Sequence, residues 1–200
     1  MVVDEKPLLT PASSVPLPGD AWVTLRLIEK SELPVIASLA ETIWWHCYPP
    51  IIGAAQVHYM LGRGYALPVL SAAYRDGTIF SLLQVGPGSV GFSAWRVDGR
   101  EGFIDKLYLL PAFHGRGLGR WLIDATCRQI AAAGIDVARL RVNRHNHAAI
   151  RAYQRTGFTI TATDRLPIGA GFMMDDYLMR RAGLLGLGGN GRDQDGSLGS

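Results

Sequence analysis

The sequence predicts a mixed α/β domain with antiparallel hairpins first and one strand–helix–strand unit in the middle. Three observations carry that expectation. Short apolar runs alternate with period two, other segments keep helical spacing, and a glycine loop joins a strand to a helix at mid-chain. That loop lies within "LYLLPAFHGRGLGRWLI", Leu107 to Ile123, which reads as a buried strand, a turn at Pro111, the loop and a helix start.

The elements follow in order. Residues 1–20 hold Pro7, Pro11, Pro16 and Pro18 with few core-forming side chains, and read as a flexible leader. Trp22 to Ile28 alternates as a first strand. Ser31 offers an N-cap for a helix with Leu33, Ile36, Leu39 and Ile43 on one face. "WWHCYPPIIG" stops that helix. A second helix covers Ala54 to Leu61, and another apolar stretch covers Leu67 to Tyr74. Thr78–Val85 and Val90–Val97 form a hairpin around Gly86-Pro87-Gly88. Gly102–Leu110 is the central strand. The helix after the loop buries Leu122, Ile123, Thr126, Cys127 and Ile130, with Arg120, Asp124 and Arg128 as its wet stripe. Arg139–Val142 is a short strand, and His147–Thr156 is a helix stopped by Gly157. Ile160–Thr163 and Phe172–Met179 are a last strand pair around "DRLPIGAG". Residues 21–183 form one domain, and 184–200 read as a flexible Gly-rich tail.

Composition narrows the function. A net charge of +3 is too small to argue for nucleic acid. No run of about 18 apolar residues suggests a membrane span, and no signal peptide is visible. Cys47 and Cys127 sit in apolar helical contexts, as thiols of a reducing, cytoplasmic compartment do. The five histidines never pair with cysteines at zinc spacing, so no metal is expected.

The loop carries the chemistry. Gly115, Gly117 and Gly119 let backbone N–H groups converge, the following helix N-terminus adds partial positive charge, and Arg116 and Arg120 add full charges. A pyrophosphate fits best. A P-loop is excluded, because Gly-Lys followed by Ser or Thr is absent. A dinucleotide fingerprint is excluded too, since position 120 is Arg and the loop lies past mid-chain.

The run His114-Gly115-Arg116-Gly117-Leu118-Gly119 resembles the acetyl-CoA loop of the GNAT N-acetyltransferase superfamily, with His114 in place of the usual Gln or Arg. "LRVNRHNHAAIRAYQRTGF" resembles that family's second motif through Asn146, Tyr153, Gly157 and Phe158. The resemblance covers Trp22 to Arg180. It implies a twisted, mostly antiparallel sheet of six or seven strands with a splayed parallel pair, flanked by four or five helices. It implies acetyl-CoA as co-substrate. Leu107, Tyr108 and Leu109 would pair with the cofactor's arm, and residues His114, Gly115, Arg116, Gly117, Leu118, Gly119 and Arg120 would hold its pyrophosphate. Asn146 would bind near the arm's amides, and Tyr153 would protonate the leaving thiolate. Asn146 equally fits a plain helix cap, and Tyr153 a core position.

Acetylating an amine needs a base, because an alkylamine is only about 1 in 2,500 neutral at pH 7. Some family members carry a Glu five residues before the Asn, where this chain has Arg141. Asp105, which by strict alternation shares the face of Leu107 and Leu109, is the candidate base. Glu41 and His46 are weaker ones. Trp44, Trp45, His46, Tyr48 and Tyr59 would wall an amine pocket, and Asp175 or Asp176 on the last strand pair would steer the amine. The resemblance thus implies N-acetylation of a primary amine of a small molecule such as a polyamine, in a ternary complex. Acetylation of a protein α-amine or lysine, and a non-catalytic acyl-CoA sensor, remain as alternatives, and homodimerisation is left open.

Overall fold

The computed structural model describes residues 14–16 and 22–188. Its frame is one sheet of eight strands: β1 (Ser14–Pro16), β2 (Trp22–Leu27), β3 (Ile79–Val85), β4 (Gly88–Asp98), β5 (Glu101–Leu109), β6 (Ala138–Asn143), β7 (Thr159–Gly169) and β8 (Phe172–Arg181). The order is β1-β2-β3-β4-β5-β6-β8-β7, and every neighbouring pair is antiparallel except β5–β6. Helices α1 (Leu33–Cys47), α2 (Pro49–Ile52), α3 (Ala54–Tyr65) and α4 (Leu67–Arg75) lie between β2 and β3 in the chain. Helix α5 (Leu118–Ala132) links β5 to β6, and α6 (His147–Arg155) follows β6. The mixed class and the lone parallel pair are as the sequence predicts.

Strand alternation splits the core into two faces. Ile36, Ile43, Val57 and Leu70 from α1, α3 and α4 pack on Phe80, Leu82, Phe92 and Ala94. On the other face, Ile123, Cys127 and Ile130 of α5 pack with Trp95, Ile104 and Leu140, and Leu118 and Leu122 pack with Leu25, Leu83 and Leu109. Gln129 of α5 adds a polar tie, its amide donating to Ser81 Oγ at 3.0 Å.

Four sequence expectations change. Ser31 does not cap α1; it lies inside a 3-10 turn, Lys30–Glu32, closed by a reciprocal Glu29–Glu32 capping box. The stretch read as a loop, "DRLPIGAG", is mostly strand, and the reversal is confined to Ala170-Gly171. Pro167 is tolerated because β7 is the sheet's edge. The tail read as flexible starts with a 3-10 turn, Leu184–Gly188. Leu184 is fully buried, and the Asp136 carboxylate accepts from the Gly183 and Leu185 amides at 3.3 and 3.1 Å. The leader contributes β1 as a strand paired with β2; the remainder of both terminal expectations lies outside the described residues.

The feature that positions the site is the seam between β5 and β6. Only three pairs join them: Gly102 with Ala138, Phe103 with Arg139 and Ile104 with Leu140. Beyond Ile104, β5 stays paired with β4 as far as Leu109, and β6 stays paired with β8 as far as Asn143. The two strands therefore diverge. A register shift between Ala94 and Trp95 leaves Asp105 as the extra residue on β5, and such a bulge bends its strand.

Candidate active site

The loop after β5 is built to present amides. Gly115 and Gly117 take φ of 73° and 79°, a region costly for residues with a Cβ, and Gly117 is the N-cap of α5. Among the described residues, the backbone N–H groups of 115–120 make no backbone hydrogen bond; a helix start always leaves its first donors free. Leu118 is buried in the core, so only its amide is available to the loop's outer side. Gly119 sits in the first turn of α5, with open space where a Cβ would project. Arg120 is bound to Asp124 at 3.7 Å, and Arg116 lies 5.5 Å over the Phe113 ring. His114 stays exposed and turns back toward β5, its Nε2 at 3.0 Å from the Leu109 carbonyl.

The open edge of β5, residues 105–109, runs from this loop to a cavity of about 280 Å³. Its walls come from α1, α3, β5, β6 and β8. Trp44 stacks on Tyr48 at 4.4 Å, and the Tyr108 ring centroid lies 6.4 Å from that of Tyr48 and 6.2 Å from that of Tyr65. Burial pushes all three phenols up, Tyr108 well above the usual range. Helix α3 closes the cavity against the β7–β8 hairpin: Gln56 donates to the Met173 carbonyl at 2.7 Å, and Tyr59 and Arg63 donate to the Ile168 carbonyl.

Asn146 and Tyr153 both lie near Tyr48, outside the set of residues that line the cavity. Asn146 caps α6, its Oδ1 accepting from the Ala149 amide at 3.1 Å, while its Nδ2 donates to the Tyr48 hydroxyl at 3.5 Å. The capping expectation therefore holds, and the amide also reaches toward the cavity wall. Tyr153 packs edge-on against Phe158, with centroids 5.7 Å apart. Its hydroxyl has no hydrogen bond among the described residues, and burial pushes its pKa up.

The acids divide sharply. Strict alternation does not hold across the bulge. Leu107 and Leu109 pack toward α5, whereas Asp105 lines the cavity with Lys106 and Tyr108. Asp105 is held by Lys106 at 2.6 Å and Arg96 at 3.8 Å. Arg141, at the position where some family members carry an acid, is ion-paired with Asp164. Asp175 pairs with Arg144 at 3.4 Å. Asp176, 4% exposed, lines the cavity with no such partner; burial first, then Asp164 and Asp175, push its carboxyl up to about 6 against the pull of Arg141.

Several expected substrate residues lie elsewhere. Glu41 and Trp45 line a separate surface pocket with His58 and Leu61, and His46 is exposed outside both pockets. Tyr59 serves the hairpin contact. The reason is helical phase: Trp44 and Tyr48 are one turn apart and face inward, which turns Trp45 and His46 outward. Tyr65 and Lys106 are cavity residues that the sequence reading missed. Tyr65 closes α3 with no pattern of its own, and Lys106 gains its orientation from the bulge. Among the described residues no cluster of His, Cys, Asp and Glu forms a metal site, and no helix is long and apolar enough to cross a membrane.

Comparison with known proteins places this geometry. Residues 39–158 match the family model described as Acetyltransferase (GNAT) family. The chain is 38% identical over 86 residues to an uncharacterized N-acetyltransferase of Mycobacterium tuberculosis (strain ATCC 25618 / H37Rv), covering 43% of this chain and 54% of that protein. It is 37% identical over 78 residues to a mycothiol acetyltransferase of Streptomyces avermitilis, covering 38% of this chain and 25% of that protein. The matches thus span about half or less of the length of these curated relatives. Among solved structures, the PaiA N-acetyltransferase of Thermoplasma acidophilum in complex with coenzyme A superposes with a TM-score of 0.69 at 19% identity, covering 80% of this chain and 98% of that one. At that identity the likeness establishes the fold.

Proposed function

Because this chain belongs to the GNAT acetyltransferase family, we propose that it moves an acetyl group from acetyl-CoA to a primary amine of a small molecule, with both bound at once. The observation that carries the reading is the diverging seam: a strand edge without a partner runs between a loop of free amides and an aromatic cavity. An unpaired edge is a template for an extended, amide-bearing chain, and the free N–H groups of 115–120 suit a pyrophosphate. Leu107, Tyr108 and Leu109 supply that edge. Arg116 and Arg120 add charge beside the loop. His114 Nε2 contacts the Leu109 carbonyl at the loop end of the same strand. The chain's own residues fit the co-substrate at both ends.

The acetyl thioester supplies an activated carbonyl carbon. The amine nitrogen bonds to that carbon while the carbon–sulfur bond breaks with its electron pair on sulfur. Tyr153 is the proton donor for the sulfur. Its hydroxyl has no competing acceptor among the described residues, and its raised pKa keeps the proton in place at neutral pH. Direct transfer is favoured because neither cysteine nor serine lines the cavity among the described residues. A small acceptor is favoured because α3 and the β7–β8 hairpin close over the aromatic walls.

The test is thiol release from acetyl-CoA with spermidine, tyramine, an aminoglycoside, amino acids and short peptides. At least one small amine should turn over faster than any peptide. Tyr153→Phe should leave acetyl-CoA affinity unchanged by calorimetry and lower turnover about tenfold to 10⁴-fold. Acetyl-CoA binding without turnover on any amine would replace this reading with that of a sensor.

A further inference from the structure

Building on the transferase reading, we propose that Asp176 is the catalytic base: the substrate ammonium docks against its carboxylate and gives up its proton there before attack. Two carboxylates line the cavity, Asp105 and Asp176. Asp105 is committed to Lys106 and Arg96. Asp176 is nearly inaccessible from outside, yet among the described residues no cation stands within ion-pair distance and no donor is hydrogen-bonded to it.

Every charged group around it is already occupied. On β6, Arg141 is ion-paired to Asp164 of β7, which is the cross-strand partner of Asp176. On β8 itself, Asp175 holds Arg144. From α3, Arg63 turns to the Ile168 carbonyl. On β5, Lys106 holds Asp105 and sits 4.8 Å over the Tyr65 ring. At the end of α1, the Tyr48 phenol stays neutral. A buried carboxylate with none of its own partners, facing an aromatic cavity, is completed by an ammonium ion. The same burial makes it a stronger base than an exposed carboxylate, while it stays ionised at neutral pH.

The balance is complete. One ammonium N–H breaks, its proton passes to a carboxylate oxygen of Asp176, and the electron pair stays on nitrogen. That pair forms the bond to the acetyl carbon as the carbon–sulfur pair leaves on sulfur. A second nitrogen proton is lost to solvent, and Asp176 releases the first to solvent once the amide product leaves. Tyr153 protonates the sulfur and is reprotonated from solvent.

The experiment compares wild type with Asp176→Asn, Asp176→Glu and Asp105→Asn. Acetyl-CoA affinity by calorimetry should be the same for Asp176→Asn and wild type, since the loop is untouched. With tyramine and spermidine as acceptors, Asp176→Asn should lose about 10²–10⁴-fold in turnover and lose the acidic limb of its pH–rate profile. Asp176→Glu should recover part of the rate, and Asp105→Asn should keep the limb. A limb that survives in Asp176→Asn, or disappears in Asp105→Asn instead, overturns the proposal. A second readout needs no turnover: in protein carrying 13C-carboxyl aspartate, tyramine or spermidine should lower the titration midpoint of Asp176. Binding of either amine with an unmoved midpoint overturns the docking step. A wild type that binds acetyl-CoA but releases thiol with none of the amines overturns the transferase reading and the proton transfer together. The midpoint then decides ammonium docking alone.

Discussion

Glu32 and Asp176 are displaced in opposite directions, and their effects on stability run oppositely with pH. Arg26 beside Glu32 holds that carboxyl at about 2, so the pair stabilises the fold above the ordinary carboxylate range, and the gain is lost as pH falls toward 2. Asp176 is raised to about 6, so its favourable, protonated state is complete below about 4 and disappears as pH rises through 6. At pH 8 the fold therefore carries the cost of a buried charge. Asp176→Asn should unfold at a higher denaturant concentration than wild type at pH 8, by about 1–3 kcal/mol, with the advantage vanishing near pH 4. Equal stability of the two proteins at pH 8 would show that the carboxylate is solvated after all. This is the pattern of a group kept for chemistry at the expense of the fold. Its identity was half visible beforehand: Asp175 and Asp176 are adjacent on one strand, but which one faces inward depends on the pairing of β8 with β6, which a single sequence does not display.

At the scale of elements, the contact between β5 and α5 sets where the loop can stand. A Cβ on Gly102 would come within 2.6 Å of the Ile130 side chain, and Ile130 is fully buried. Gly102→Ala should therefore cost about 1–3 kcal/mol in chemical denaturation, because helix and strand must separate. A cost below about 0.5 kcal/mol would mean that Ile130 repacks freely. Most elements were legible because their periods are clean, as in α5, where Leu122, Ile123, Thr126, Cys127 and Ile130 are all buried. Legibility failed where period and geometry part company. The bulge at Asp105 changes which side chains of β5 share a face, so alternation assigned Asp105 to the wrong neighbours. Pro167 and two glycines made β7 look like a loop, although an edge strand needs no donor on its outer side. The glycine loop between β5 and α5 and the cap at Asn146 were legible because both depend on short local geometry.

At the scale of the whole molecule, the closing of the chain was the least legible part. Leu184 lies in a glycine-rich run and still fills the core beneath α5, fixed by Asp136 from the segment that leads into β6. Only the assembled fold shows the hole it fills. The seam is likewise a property of the assembly. Backbone pairing is continuous from β1 to β5 and again from β6 to β7, but three residue pairs carry it between the two halves. Under tension applied across the strands, load concentrates at Gly102–Ile104, and the sheet should yield there, one pair after another, before either half tears. Held in an optical trap by handles near Trp22 and Arg181, the molecule should lengthen in two steps, with the seam opening at the lower force. A single all-or-none rupture would mean that the side chains packed beneath α5 carry as much load as the sheet itself. The same opening that gives a ligand its edge is, mechanically, the joint at which the protein breaks.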